Sequence, residues 1–347
     1  MRLIEPLGLM ADAPAALPRA AGRAAFAFAR LIENGNERVV PVADIPSDWR
    51  AELERLTRPH APWAGLAMDR PAIMGPAIMG IVNVTPDSFS DGGAHADPAR
   101  AIAAGMAMAA AGADIIDVGG ESTRPGAAAV SAEQEQARIL PVVRALAAAG
   151  HRVSVDTRNA ATMAAALDAG AAIINDISAL THDPLALALV AARGVPVVLM
   201  HMRGEPATMQ SHATYTNVAV EVVAELFARV ERAVAGGIPR HRIAIDPGIG
   251  FAKTADHNLA LLRRLSLLLN IGCPILAGLS RKSFIGKISG VAEPSLRFPG
   301  SIAAGLHAVS HGATLVRVHD VAETAQALRV WTALSQRNEN GSHGPAL

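Results

Sequence analysis

Cysteine is almost absent from this sequence, since Cys273 is the only one among 347 residues. A single thiol cannot form a disulfide within the chain, so no covalent cross-link holds the fold together. This cysteine usage is typical of proteins in a reducing compartment. We therefore expect a cytoplasmic protein.

Net charge is also absent, because 31 Lys and Arg residues balance 31 Asp and Glu residues. An excess of positive charge is the usual signature of proteins that bind nucleic acid or an anionic membrane surface. We expect neither partner here. An anionic ligand would instead need a local cluster of donors.

Long apolar runs are missing as well. A membrane-spanning helix needs about 18 or more consecutive apolar residues, and the most apolar stretch, AIAAGMAMAAAGADII, is Ala-rich and interrupted by Gly. At the N-terminus, Glu5 and Pro6 interrupt the chain before a signal-peptide run develops. With 51% hydrophobic and 18% charged residues, the chain can still build a large core.

Residues 1–70 differ from the rest, being rich in Pro and Arg. They contain one alternating run, Ala25–Arg30, and one possible short helix near Trp49–Leu56. We interpret them as an extension that packs on or beside the main domain, residues 71–337, and we assign them no chemistry. Residues 338–347 are expected to form a flexible tail.

From about Pro76, short runs of Ile and Val alternate with longer Ala- and Leu-rich segments of helical period, as in repeated βα units. The predicted strands are Ile78–Val84, Asp114–Gly119, Arg152–Asp156, Ala172–Asp176, Val195–Met200, Ile243–Asp246, Ile275–Leu279 and Leu315–Val318. The predicted helices are Pro98–Ala111, Ala132–Ala149, Ala160–Ala169, Pro184–Ala192, Val218–Ala235, His257–Leu269, Gly300–Ser310 and Val321–Leu334.

This pattern predicts an α/β protein, a (β/α)8 TIM barrel with an N-terminal extension. The alternative is a doubly wound open sheet. That fold would place a Gly-rich dinucleotide fingerprint after the first strand, and the sequence has none there.

Polar residues follow the predicted strands, where a barrel carries its active site. A lone polar residue at a strand end is usually a helix cap, but capping does not easily explain a whole ring of them. Carboxylates there would suit a heterocycle with N–H donors, and the cations would suit a phosphate or diphosphate. The polar residues at the strand ends are Asn83, Glu121, Asp156, Asn175, His201, Asp246, Lys282 and Arg317.

Across residues 77–335 these segments resemble the dihydropteroate synthase family. The resemblance rests on the runs MGIVNVTPDSFSDGG, GGESTRPG, VDT, INDIS, VVLMHMRG, DPGIGF, GLSRKSFIG, PGS and VRVHDV, in this order. It implies a transferase of folate biosynthesis that joins a pterin diphosphate to 4-aminobenzoate with the help of Mg²⁺. It also implies a homodimer and a target of sulfonamides.

The resemblance further implies a role for individual residues. The pterin would contact Asp156, Asn175, Asp246 and Lys282, with Met200 and Arg317 against its ring faces. Asn83 would bind the diphosphate and its Mg²⁺, with Arg317 and His319 on the phosphate oxygens.

For the second substrate, the resemblance implies that 4-aminobenzoate lies among Thr123, Arg124, Pro125, Phe251 and Lys282, with its carboxylate near Ser283. Asp91 would act on the developing pterin cation. The residues implied in catalysis are Asp91, Thr123, Arg124, Lys282, Arg317 and His319. The sequence departs from the family at Arg158-Asn159 and at Ala252, and neither departure touches an assigned role.

Three alternatives stay open. The first is a corrinoid-type pterin methyltransferase with the same barrel, which should lack the Asn83–Asp91 loop and the diphosphate-binding group at Arg317. The second is a paralogue that binds ligand without turnover. The third concerns His201 alone, which lies between two methionines and is interpreted as packed in the barrel mouth rather than catalytic. A zinc site is not expected, because no His or Cys cluster has the required spacing.

The loops Thr85–Gly93 and Ser122–Gly126 are polar and bounded by Gly and Pro, so we expect them to close when diphosphate and Mg²⁺ bind. Calorimetry should then show that 4-aminobenzoate binds weakly to the free protein and measurably once both are present. Arg124→Ala should weaken this second step and leave pterin binding nearly intact. Equal binding with and without diphosphate would mean that the second pocket is preformed.

Overall fold

The computed structural model describes residues 1–10, 16–68, 75–85, 97–122 and 130–335. Its first strands form two small antiparallel sheets, β1-β4-β5 and β2-β3. The alternating run Ala25–Arg30 spans the end of β3 and the start of β4, and the short helix predicted near Trp49 is present. The elements of this part are β1 (Arg2–Leu7), β2 (Arg19–Ala20), β3 (Ala24–Ala25), β4 (Phe28–Glu33), β5 (Asn36–Pro41) and α1 (Arg50–Thr57).

The remaining strands form one parallel sheet of eight, as predicted from the sequence, in the order β11-β10-β9-β8-β7-β6-β13-β12. Its two edges meet at a parallel bridge between Ile245 and Ile275, so the sheet closes into a (β/α)8 barrel. The barrel strands are β6 (Ala77–Asn83), β7 (Ile115–Gly119), β8 (Val153–Asp156), β9 (Ile173–Asp176), β10 (Val197–Met200), β11 (Ile243–Asp246), β12 (Leu276–Gly278) and β13 (Leu315–Val318).

Helices surround the sheet, and most begin and end within two residues of the prediction. Ser131 and Gln134 form a capping box at the start of α3, and Gly194 ends α5 in the left-handed conformation. The helices are α2 (Pro98–Ala110), α3 (Ala132–Ala148), α4 (Ala160–Asp168), α5 (Ala186–Arg193), α6 (Val218–Ala235), α7 (Ala255–Arg263), α8 (Ser283–Ser289), α9 (Phe298–Ser310) and α10 (Val321–Leu334).

Two helix predictions need correction. The helix predicted at His257–Leu269 is two elements, because Thr254 caps α7 at the backbone N–H of His257 and the chain leaves helical geometry at Arg264. A 3-10 helix, Leu265–Ile271, follows. The short helix α8 was not among the predicted helices, because its SFIGKIS sequence is too short for a clear period.

The N-terminal part packs directly on the barrel. Leu3, Phe26 and Leu31 belong to one hydrophobic cluster with residues of α6 and the 3-10 helix Leu265–Ile271. The side chain of Asn270 accepts from the backbone N–H of Ile4 at 3.0 Å and donates to its carbonyl at 2.8 Å, as a neighbouring strand would.

A buried charge network also joins the extension to the barrel. The carboxylate of Glu5 is 4% exposed and lies 2.8 Å from Arg30 within the small sheet and 2.8 Å from Arg264 at the end of α7. Breaking one partner of a buried pair leaves an uncompensated charge, so this contact makes the position of the extension specific.

The end of the barrel at which the strands begin is covered by the extension. Trp63 is fully buried and packs with Leu66 and Met68 against the innermost apolar residues of the strands. Its indole Nε1 donates to the carbonyl of Arg242 at 3.0 Å. None of the helices in the described part of the chain is long and apolar enough to cross a membrane.

We predict that Trp63→Ala destabilises the protein by about 3–5 kcal/mol, because it leaves a cavity under the barrel. Trp63→Phe should cost clearly less, since it keeps most of the apolar volume and loses only the hydrogen bond to Arg242. Urea unfolding of the three proteins measures both effects. A loss below about 1 kcal/mol for Trp63→Ala would show that the extension does not seal the barrel.

Candidate active site

Every second residue of a barrel strand points into the barrel, and these inward side chains form two layers. The lower layer is apolar and contacts Trp63; it includes Ile115, Ile173, Val198, Ala244, Leu276 and Leu315. Side chains two positions further along a strand point the same way. The upper layer therefore contains Asp117, Asn175, Met200, Asp246, Gly278 and Arg317.

Arg317 connects the strands of this upper layer. Its Nε donates to Asp117 Oδ2 at 2.6 Å and its Nη2 donates to Asp156 Oδ2 at 2.8 Å. Asn175 Nδ2 donates to the same oxygen of Asp117 at 3.1 Å. The predicted residues Asp156, Asn175 and Arg317 are thus brought together from β8, β9 and β13.

Asp117 was not among the site residues predicted from the sequence. Its side chain is fully buried, and its Oδ1 has no hydrogen-bond partner in the described part of the chain. A buried carboxylate oxygen without a donor is costly, so this oxygen could accept from a ligand N–H. One signal could have revealed it, since Asp117 is an ionisable residue inside an otherwise apolar strand, Ile115–Gly119.

Burial raises the pKa of Asp156 to about 7, although the guanidinium of Arg317 lowers it and Asp117 raises it further. Burial also raises the pKa of Asp246, against the opposing charge of Lys282. The carboxylate of Asp246 accepts from Gly248 N at 2.6 Å. A Cβ at Gly278 would lie 3.3 Å from Asp246 Oδ2, so the missing side chain there leaves room for this carboxylate.

Lys282 lies between the acidic layer and the loop after β11. Burial lowers its pKa to about 8, while Asp246 raises it. Its Nζ donates to the carbonyl of Ile249 and lies 4.9 Å from the ring centroid of Phe251, a cation–π distance. The predicted residues Lys282 and Phe251 are therefore neighbours.

The loops after β12 and β13 carry Arg281 and His319. His319 Nδ1 lies 2.9 Å from Ser280 Oγ, and the backbone N–H of His319 donates to the same oxygen at 3.2 Å. Arg281 is ion-paired with Asp320. Ser283 is exposed and is the first residue of α8.

Two other polar residues at strand ends support loops. Asp176 is fully buried and accepts from the backbone and hydroxyl of Ser178 and from the backbone of Leu180. Glu121 pairs with Arg158 through Oε1 at 3.0 Å and Oε2 at 3.2 Å, joining the segments after β7 and β8. Both residues shape the rim of the site.

Asn83 ends β6 beside the acidic layer. A Cβ at Gly119 would lie 3.8 Å from both Asn83 Oδ1 and Asp156 Oδ2, so these two side chains flank the same space. Within the described residues, the Asn83 side chain has no hydrogen-bond partner, and no group of three His, Cys, Asp or Glu residues could hold a metal ion. A single amide oxygen fits a Mg²⁺ ion that is otherwise held by substrate phosphates and water.

The predicted residues Asp91, Thr123, Arg124 and Pro125 lie outside the residues that the structure describes. Their assigned roles stay predictions. The described residues already combine acceptors on β7, β8 and β11 with cations on β13 and just before α8. This arrangement suits a ligand with a donor-rich ring and an anionic group.

Comparison with known proteins agrees with this chemistry. The family described as pterin binding enzyme matches residues 79–319. The dihydropteroate synthase of Escherichia coli (strain K12) is 47% identical over 266 residues, covering 76% of this chain and 94% of that protein.

Two solved structures of Xanthomonas albilineans dihydropteroate synthase are also similar. The complex with 4-aminobenzoic acid is 49% identical with a TM-score of 0.72, covering 78% of this chain and 96% of that one. The complex with 7,8-dihydropteroate is 46% identical with a TM-score of 0.69, covering 76% and 94%. The chain therefore belongs to the pterin binding enzymes, and within them to the dihydropteroate synthase family.

Proposed function

We propose that the protein condenses 6-hydroxymethyl-7,8-dihydropterin diphosphate with 4-aminobenzoate to give 7,8-dihydropteroate and diphosphate. The polar end of the barrel carries this proposal, because Arg317 binds Asp117 and Asp156 while the charge of Lys282 acts on Asp246, which brings acceptors from three strands together. Family membership supports it, since a similar protein was solved with 7,8-dihydropteroate.

The pterin ring would occupy the space between these carboxylates. Its N–H groups would be donors to Asp117, Asp156 and Asp246, and charge-assisted hydrogen bonds of this kind are the stronger ones. Asn175 and Lys282 would contribute the amide and the cation that ring oxygen and nitrogen acceptors need. Met200 is buried beside them and would contact a ring face.

The diphosphate would lie between β6 and β13, where Asn83, Arg317 and His319 end or follow their strands. Bound Mg²⁺ would neutralise the charge that develops on the leaving diphosphate. Asn83 would supply the protein oxygen for the metal. Arg317 and His319 would donate to phosphate oxygens, which also stabilises the departing group.

The reaction breaks the C–O bond between the pterin methylene group and the diphosphate, and it forms a C–N bond to the arylamine. The bonding electrons leave with diphosphate, and the nitrogen loses a proton after bond formation. No general base is required for the attack, which agrees with the absence of a Ser-His-Asp arrangement in the sequence. Phe251, Lys282 and Ser283 would hold 4-aminobenzoate, and a sulfonamide that mimics this substrate would occupy the same place.

A homodimer is part of the proposal. Several large apolar side chains of the last three helices and of the segment before α9 are exposed in the single chain. They are Ile288 on α8, Leu296 just before α9, Phe298 at its start, and Val330 and Leu334 on α10. Exposed apolar side chains on neighbouring helices are the material from which a protein interface is built. A cytoplasmic location is also part of the proposal. It rests on the cysteine usage of the sequence, whose single cysteine, Cys273, is free and buried.

The function is tested by incubating the protein with the pterin diphosphate and Mg²⁺, with and without 4-aminobenzoate, and measuring diphosphate release and 7,8-dihydropteroate by mass spectrometry. Product should form only when both substrates are present. Pterin binding without turnover would identify a paralogue that has lost activity, and methyl transfer to a corrinoid would identify the methyltransferase alternative.

We predict that Asp246→Asn lowers the affinity for the pterin diphosphate by about tenfold or more, because one charge-assisted hydrogen bond contributes about 1.5–3 kcal/mol. Calorimetry measures this affinity directly. Asp256→Asn, an exposed carboxylate in the first turn of α7, is the matched control and should bind normally. Unchanged binding by Asp246→Asn would remove this residue from the pterin pocket.

We predict that Arg317→Lys lowers turnover by about tenfold or more, although the charge is kept. Its two donors bind carboxylates on different strands, and a single ammonium cannot reproduce this planar geometry. The exposed Arg329→Lys on α10 serves as control. Steady-state kinetics measures the turnover. A turnover within twofold of that of the unaltered enzyme would mean that Arg317 only supports the strand end.

A further inference from the structure

Lys253 is a buried lysine in the segment after β11, with 3% of its surface exposed. Its Nζ lies 2.9 Å from His201 Nδ1, 3.1 Å from the carbonyl oxygen of Gly248 and 3.0 Å from that of Phe251. The proposed reaction assigns this residue no role. A buried amine needs partners for its N–H groups, and these three acceptors match the three donors of an ammonium.

His201 Nδ1 can accept from Lys253 in only one tautomer of the ring, and Glu225 sets that tautomer. Burial alone would raise the pKa of Glu225, but hydrogen bonds from His201 and Arg203 lower it to about 2. The carboxylate is therefore ionised and accepts from His201 Nε2 at 3.0 Å. With its proton on Nε2, a neutral His201 presents the lone pair of Nδ1 to Lys253.

Burial and the charge of Lys253 lower the pKa of His201 to about 3, so the ring stays neutral across the working pH range. Burial also lowers the pKa of Lys253, while Asp246 opposes that change. The ring is fully buried, as the sequence analysis expected for a packed His201. Its position in a chain of hydrogen bonds was not expected.

Helix α6 anchors the other end of this chain of hydrogen bonds. Glu221 and Glu225 bind Arg203, and Arg229 donates to the carbonyl of Met200 at 2.7 Å and also to that of Met202. These α6 residues are spaced four apart, so they lie on one face of the helix. The helix thus fixes the segment after β10 and, through His201, reaches Lys253.

Lys253 holds the segment Gly248–Phe251 at both ends. Between those two carbonyls, Ile249 accepts the hydrogen bond of Lys282, and the ring of Phe251 lies against the same ammonium. Asp246 shares two of these partners, since its carboxylate accepts from Gly248 N and its carbonyl accepts from His201 N at 2.9 Å, but it is also fixed as the last residue of strand β11. Loss of Lys253 should therefore disturb the Phe251 side of the site more than the Asp246 side.

We propose that Lys253 is a positioning residue that orders the segment Gly248–Phe251 for the second substrate, with His201 and Glu225 orienting its ammonium. It touches no substrate itself. This rests on the proposed function, in which Phe251 contacts 4-aminobenzoate, Asp246 contacts the pterin and Lys282 contacts both.

The test is Lys253→Met, which keeps the aliphatic chain and removes the donors. At saturating pterin diphosphate, the KM for 4-aminobenzoate should rise about tenfold, as expected for the loss of one or two buried hydrogen bonds. The affinity for the pterin diphosphate, measured by calorimetry, should change by less than about threefold, which is no more than the loss of one weak hydrogen bond would cause. Lys287→Met, an exposed lysine of α8, is the control and should show neither change.

A second variant, His201→Phe, keeps an aromatic ring and removes the acceptor for Lys253. It leaves the two carbonyl partners, so the KM for 4-aminobenzoate should rise less, about threefold. The double variant should resemble Lys253→Met alone, because residues in one hydrogen-bond network are not additive.

An unchanged KM for 4-aminobenzoate in Lys253→Met, or an equal loss of affinity for both substrates, would overturn the proposal. Thermal unfolding identifies a variant that fails to fold. If Lys253→Met does so, His201→Phe decides, and an unchanged KM there overturns the proposal. Failure of the proposed function itself is distinguishable, because the unaltered protein would then form no dihydropteroate.

Discussion

The ion pairs of Arg317 are the interaction on which the site depends. Asp117 and Asp246 are buried in the upper layer of the barrel, Asp156 lies largely buried at the end of β8, and burying uncompensated charge is costly. Arg317 binds two of them from β13, and Lys282 approaches the third. The acceptors for a donor-rich ring can therefore exist before any ligand binds, which reduces the reorganisation that binding requires.

The two ends of the barrel serve different purposes. Trp63 and its neighbours close the end at which the strands begin, so the polar layer lies above a packed apolar layer. At the other end, α6 and Lys253 hold the segments that follow β10 and β11. The active site is thus built on strands, and helix side chains restrain its loops. Sites supported in this way keep their geometry better than sites formed by loops alone.

Much of this arrangement was predictable from the sequence. The Ile- and Val-rich runs identified every strand of the barrel, and the polar residues at their ends included Asp156, Asn175 and Asp246. Asp117 was missed, because a carboxylate two residues before a strand end looks the same in the sequence whether it faces inward or outward. Lys253 was missed because its partner His201 lies 52 residues away along the chain.

By itself, the sequence determined the order of βα units, the apolar alternation within each strand and the positions of most site residues, since these depend on local periodicity and spacing. Only the tertiary structure decided which charges meet. Arg317 and Asp117 are 200 residues apart along the chain, and they become neighbours because the last barrel strand, β13, pairs with the first, β6, which in turn pairs with β7. The ion pairs, the tautomer of His201 and the seal formed by Trp63 all follow from that closure and from packing between distant segments, which no local pattern encodes.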